Sequence, residues 1–169
     1  YKNCLTHGID VDTKNVSLAL NKGLSVVQGD ADIDLTYYPS KNATEKPFDY
    51  AILANTIQAI KEPDKVLEQA KRIAREVLIS TPNFAYIGNS LYFVLKGRMP
   101  VTKQLPYEWY NTPNIHFSTI RDMVILLNEK GFNINELYYL TNKGALKKAR
   151  ENNLLLANLL GKMGIYIVS

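Results

Sequence analysis

The chain has 169 residues, 46% hydrophobic and 21% charged, enough apolar content for one packed core and too much for wholesale disorder. Its formal charge is +4 at pH 7, but the basic residues are scattered, so the charge points to neither nucleic acid nor a membrane surface. A single cysteine, Cys4, and two histidines, His7 and His116, exclude an internal disulfide framework, a multi-thiolate zinc site and a multi-histidine metal centre.

The most apolar stretch, 154–168, is interrupted by Asn158, Gly161, Lys162 and Gly164, and falls short of the roughly 20 apolar residues a spanning helix needs. No secretory signal pattern opens the chain, so a cytoplasmic setting is expected. Cys4 is expected to be a small buried residue rather than a nucleophile.

Strand and helix patterns alternate. A short buried strand is predicted over 5–9, stopping at Asp10, followed by a helix over 13–22 closed by Gly23. Residues 24–28 (Leu-Ser-Val-Val-Gln) read as a strand ending at Gly29-Asp30, and 32–47 as a polar, turn-rich connection. The next strand covers 48–53. Pro63 suits a helix start, and Val66, Leu67, Ala70, Ile73 and Ala74 recur at helical spacing. Residues 76–80 read as a strand.

The stretch 83–117 then breaks the rhythm with Gly88, Gly97, Pro100, Pro106 and Pro113, and is expected to be a long functional loop. A helix capped by Ser118 or Thr119 runs to Lys130 and ends at Gly131. A strand over 132–140, one helix or two short ones over 143–160, and a last strand over 164–168 complete the chain. The prediction is an α/β fold with a doubly wound, mostly parallel sheet. It forms a single domain over 1–169 with a proline- and aromatic-rich insert at about 85–117.

In such sheets ligands bind beyond the carboxyl ends of the strands, which singles out Asp10 and Asp12, Asp30 and Ala31, 55–58, and 82–84. Asp10 is placed either to accept hydrogen bonds from two ribose hydroxyls or to cap a helix. Asp30 is placed either to accept from an adenine amino group or to close a turn. A nucleotide fold also needs a glycine-rich turn roughly 20 residues before the acid of its second strand. None lies upstream of Asp10, so either the chain has no such cradle or a first strand, loop and helix of roughly 30 residues are missing from it.

No G-x-S-x-G elbow and no P-loop sequence occurs, which argues against an acyl-transfer nucleophile of that type and a P-loop NTPase. The insert holds the only tryptophan. Arg98, Trp109 and Tyr110 are the candidate anchors for a partner protein, since interface energy concentrates in such residues. Further candidate site residues are Asn55, Gln58, Tyr107, Tyr110 and His116, the last offering either a general base or a hydrogen bond that fixes the loop.

Read together, GIDVD at 8–12, VVQGDAD at 26–32, FDYAILANTIQAI at 48–60, PDKVL at 63–67, STPNF at 80–84 and GRMPVTKQLPYEWYNTPNIHFSTIRD at 97–122 resemble the MetW family. These are methionine-biosynthesis proteins built on the class I S-adenosylmethionine (SAM)-dependent methyltransferase fold. The resemblance spans about residues 7–135, and the 97–122 segment carries its specificity.

It implies a seven-stranded Rossmann-like sheet, of which this chain supplies strands two to seven. It implies SAM or S-adenosylhomocysteine as cofactor, with Asp10 at the ribose, Asp30 and Ala31 at the adenine, and Asn55 beside them. It also implies homoserine O-acyltransferase as partner. The expected function is activation of that enzyme; the alternative is methyl transfer to a small molecule. The family's Ser-Gln-Thr-Leu-Gln is here Ala54-Asn55-Thr56-Ile57-Gln58, and its Phe-Pro-Asn-Phe-Gly-His-Trp is here Thr81-Pro82-Asn83-Phe84-Ala85-Tyr86-Ile87.

Overall fold

The computed structural model describes residues 4–39, 46–102 and 104–169. Residues 40–45 of the turn-rich connection and Lys103 of the insert therefore lie outside the described residues. β1 (Gly8–Asp10) and β2 (Val26–Gln28) form a parallel pair connected by α1 (Thr13–Asn21). A second sheet has five strands, comprising β3 (Phe48–Ala54), β4 (Ala74–Pro82), β5 (Ile134–Thr141), β6 (Leu146–Ala149) and β7 (Gly161–Val168).

Their order is β3-β4-β7-β5-β6. β3 and β4 are parallel, while β7 runs antiparallel to both β4 and β5, so β3, β4 and β5 share one direction. β6 folds back antiparallel along the outer edge of β5. Among the described residues no strand hydrogen-bonds the two sheets together.

Side chains alternate across a strand, and register aligns the alternation between strands. Leu53, Ile79, Tyr166, Leu137 and Ala149 are partners in turn across all five strands, and all are buried. α3 (Pro63–Ile73) and α5 (Ile120–Glu129) cover this row with Val66, Leu67, Ala70 and Ile73, and with Ile120, Met123 and Leu127. Pro63 opens α3, where its missing N–H has no helical partner to lose. A capping box opens α5: the Thr119 hydroxyl accepts the Asp122 N–H at 3.2 Å and the Asp122 carboxylate accepts the Thr119 N–H at 2.9 Å. Lys130 binds the two helices together, 3.2 Å from Asp64 and 2.7 Å from Glu68.

Tyr166 sits at the centre of the sheet. Burial raises its hydroxyl above the ordinary tyrosine range. Its hydroxyl and that of neighbouring Thr81 are both buried without hydrogen-bond partners among the described residues.

Three stretches differ from expectation. The predicted loop at 83–117 contains a helix, α4 (Ile87–Lys96), closed by Gly97 in the left-handed conformation at φ 61°. Residues 91–95 (Leu-Tyr-Phe-Val-Leu) are apolar on every side and no side chain caps the helix start, so neither period nor cap reveals it. The helical reading of 143–160 holds only for α6 (Leu154–Leu160). Gly144, at φ 78°, turns the chain back so that β6 pairs with β5, and Lys148 meets Glu136 at 3.0 Å. Within the turn-rich 32–47 region the chain forms α2 (Ala31–Asp34) and a 3-10 turn over Leu35–Tyr37. Cys4 is exposed rather than buried.

Candidate functional site

The small β1–β2 unit is held to the larger sheet through the segment after β2. The Asp32 carboxylate accepts the backbone N–H groups of Lys61 and Glu62 at 3.0 and 2.9 Å, capping the start of α3 from another part of the chain. Arg72 on α3 donates to the Leu35 and Tyr38 carbonyls, each at 2.9 Å. The Tyr38 hydroxyl and the His7 imidazole are hydrogen-bonded at 2.6 Å, and the Tyr38 ring packs on Phe48 at the start of β3.

Asp10 and Asp30 stand at adjacent strand ends, as the sequence suggested. Asp10 pairs with Gln28, and the Gly29 N–H donates to the Asp10 carbonyl at 3.1 Å. The Asp10 carboxylate is anchored by the Asp12 N–H at 2.8 Å and by the Asn15 amide at 3.2 and 3.4 Å. It does not cap α1; Asp12 does, accepting the Lys14 N–H at 2.8 Å. Asp30 is the N-cap of α2, with Oδ1 accepting the Asp32 N–H at 3.0 Å, and Ala31 follows as the first helical residue. A Cβ on Gly29 between them would meet the Asp34 carboxylate at 2.6 Å and the end of the Ile9 side chain at 2.9 Å, so both would have to move.

At the end of β3, Asn55 adopts φ 53°, a left-handed conformation that asparagine tolerates better than most residues. Its N–H donates to the Ser80 carbonyl at 3.0 Å and faces the Ser80 hydroxyl at 3.2 Å. The Gln58 amide donates to the Asn55 carbonyl at 2.8 Å, while its Oε1 is buried without a partner among the described residues. The Gln58 carbonyl in turn accepts the N–H groups of Ile115 and His116, at 2.8 and 3.0 Å. The His116 ring lies 3.3 Å from the Lys61 carbonyl. The structure thus brings together Asn55, Gln58 and His116, and seats the end of the insert on the loop after β3.

It does not bring Tyr110 into that group. Tyr110 packs edge-on against Trp109 at 5.7 Å, and the two are 70% and 72% exposed. Tyr107 and Arg98 are exposed as well. On α4, Leu91, Tyr92, Phe93, Val94 and Leu95 are exposed as well, Val94 and Leu95 at 76% and 77%.

Sequence reasoning named 82–84 as a strand end but gave Asn83 no role. Its side chain, 1% exposed, donates to the Asn158 and Gly161 carbonyls at 2.6 and 2.7 Å. Its Oδ1 accepts the N–H groups of Ala85 and Ile120 at 3.2 and 3.3 Å. One amide therefore joins the end of β4, the start of α5, α6 and β7. Among the described residues no group of three His, Cys, Asp or Glu could hold a metal, and no helix is long and apolar enough to cross a membrane.

Comparison with known proteins places this geometry. A bifunctional methionine biosynthesis protein MetXA/MetW from Rhodopirellula baltica is 32% identical over 130 residues, covering 76% of this chain and 20% of that relative's length. A SAM-dependent methyltransferase from Thermotoga maritima, described as a possible histamine N-methyltransferase, matches with a TM-score of 0.65 at 17% identity. The match covers 97% of this chain and 72% of that one.

The plantazolicin methyltransferase BamL, solved with a substrate analogue and S-adenosylhomocysteine, matches with a TM-score of 0.63 at 14% identity, over 100% of this chain and 69% of that one. Likeness at such identities shows the Rossmann-like methyltransferase fold and leaves the chemistry open. The family model described as methionine biosynthesis protein MetW matches residues 1–168, and the chain belongs to that family.

Proposed function

We propose that the chain serves methionine biosynthesis as a SAM-responsive partner that activates homoserine O-acyltransferase in the cytoplasm. The observation that carries this reading is the Rhodopirellula relative, in which a MetXA part and a MetW part share one polypeptide. Two proteins fused in one organism and separate in another commonly work together. The exposed apolar surface of α4 and the exposed Trp109 and Tyr110 support it, because exposed apolar patches mark interaction sites. The absence of a G-x-S-x-G elbow fits a chain that leaves the acyl-transfer nucleophile to its partner.

The residues present fit part of a SAM site. Asp10, half-buried at the end of β1, has a carboxylate suited to accept from ribose hydroxyls, and Asp30 with the Ala31 backbone suits the adenine edge. When bound, SAM supplies a methyl group on a good leaving sulfur, so transfer needs orientation and exclusion of water more than acid–base chemistry. The linked Asn55, Gln58 and His116 favour the second reading, methyl transfer to a small acceptor. There Asn55 and Gln58 would orient the acceptor and His116 would take a proton.

The test is an assay of homoserine O-acyltransferase from the same organism, alone and with the full-length protein, together with co-elution on a sizing column. A large rise in rate with a stable complex is expected. No rise and no complex overturns the reading.

A further inference from the structure

α4 has the reverse of the polarity a surface helix ordinarily shows. The residue it buries is Asn89, 7% exposed, and Ser90 beside it is half-buried, its hydroxyl donating to the Tyr86 carbonyl at 3.3 Å. At about 100° per residue, Ile87, Leu91, Val94 and Leu95 fall on the side opposite Asn89, in a stripe roughly 100° wide. All four are exposed. A surface helix normally turns such a stripe to its own core. Here the stripe is directed away from it, with the i, i+4, i+7 spacing of a helix that anchors in the groove of another protein.

The charge around the stripe says what kind of groove. Residues 83–117 carry Lys96, Arg98 and Lys103 against one carboxylate, Glu108, and so hold two of the chain's four net positive charges. Lys96 and Arg98, at the end of α4, are exposed, and neither pairs with a carboxylate among the described residues. A second copy of this chain would bring the same positive segment, so pairing the face with itself sets like charges together. A partner with acidic groups at the rim of an apolar groove matches both the stripe and the charge.

We propose that α4 is the docking helix for the acyltransferase, its stripe seated in an apolar groove of that enzyme whose rim carries carboxylates facing Arg98. The proposal rests on the acyltransferase reading and adds to it the mode of contact and the chemistry of the partner's surface. The stripe holds the complex together once formed, and the charge speeds encounter and sets orientation.

Biolayer interferometry of the full-length protein on immobilised homoserine O-acyltransferase from the same organism tests this. Leu91→Glu and Val94→Glu are each expected to weaken the complex about thirtyfold or more, mainly by faster dissociation. Arg98→Glu is expected to slow association about fivefold and to flatten its dependence on salt. Leu155→Glu on α6, exposed but outside the insert, is expected to change neither. If circular dichroism shows one stripe variant misfolded, the other decides. A wild-type complex that both stripe variants leave unchanged, or that Leu155→Glu weakens as much, overturns the proposal while the acyltransferase reading stands. Absence of any wild-type complex overturns both. The proposal also fails if association is insensitive to salt and to Arg98→Glu, or if the stripe variants instead dissolve a dimer of this chain.

Discussion

The Asp32 carboxylate accepts the Glu62 backbone N–H at 2.9 Å, so a residue beside the candidate adenine position caps the helix that follows β3. With Lys61 bound to the other oxygen at 3.0 Å, one side chain holds two backbone N–H groups just before α3 and ties the segment after β2 to the larger unit. Asp32→Ala is expected to lower stability by about 1 kcal/mol, the usual worth of a capping side chain. The same change should speed hydrogen exchange at 26–37 far more than in β4 and β7. Uniform acceleration would show that the bridge is not local.

Asn83→Ala removes four hydrogen bonds from a fully buried site and leaves two carbonyls and two N–H groups unmatched. A loss of roughly 3 kcal/mol in urea denaturation is expected, at the upper end for a single substitution. A loss below about 1 kcal/mol would mean that water replaces the amide.

Leu95→Glu and Trp109→Ala are expected to leave the stability of the isolated chain within about 0.5 kcal/mol, because both side chains face solvent. Either should weaken the acyltransferase complex, Trp109→Ala by about 2 kcal/mol if it is a central anchor. Surface plasmon resonance against the immobilised partner separates the two effects. Unchanged affinity in both variants would remove this face from the interface.

Asp10→Ala is expected to reduce SAM binding about tenfold or more in equilibrium dialysis of the full-length protein, with little change in melting temperature. Wild-type affinity in the variant would exclude Asp10 as the ribose ligand.

Tyr166 holds its proton in the folded chain because burial raises its hydroxyl above the ordinary 10.0, whereas the unfolded chain loses that proton from about pH 10. Above that pH the native state binds the extra proton, so the contribution to stability is intact below about pH 10 and declines as pH rises. Tyr166→Phe also removes a buried hydroxyl without a partner. The variant should be at least as stable as wild type near neutrality and decline less steeply between about pH 10 and 11.5, read from urea midpoints. An equally steep decline would assign the alkaline loss to other groups.

Elements with a physical start signal were legible in the sequence. Pro63 and the Val66, Leu67, Ala70, Ile73 stripe marked α3, and a cap at Ser118 or Thr119 with the Ile120, Met123, Val124, Leu127 face marked α5. α4 was hidden because Leu91 to Leu95 carry no polar face to set a period, although Gly97 was the visible sign of a helix end. β6 was hidden because an exposed edge strand reading Leu-Lys-Lys-Ala has little alternation, and its signal was the Asn142-Lys143-Gly144 turn.

The strand-end rule placed Asp10, Asp30 and Asn55 at or just after the ends of strands, and the structure has them there. It said nothing of Asn83 as a junction, because that role depends on carbonyls 75 and 78 residues away in the chain. The pairing of Gln58 with His116 was equally invisible, since it is made by backbone groups that every sequence possesses.

The position of β7 has a consequence for how the molecule assembles as it is synthesised. Among the described strands β7 comes after all the others in the chain, yet it is the one that connects β4 to β5. Until it arrives, β3–β4 with α3 and the β5–β6 hairpin are separate pieces, each with a bare edge beside a buried apolar row. The central sheet therefore closes in one late step, with Tyr166 and Val168 completing the core. A nascent chain stalled before residue 161 would expose both edges at once, the state in which this protein most needs a chaperone.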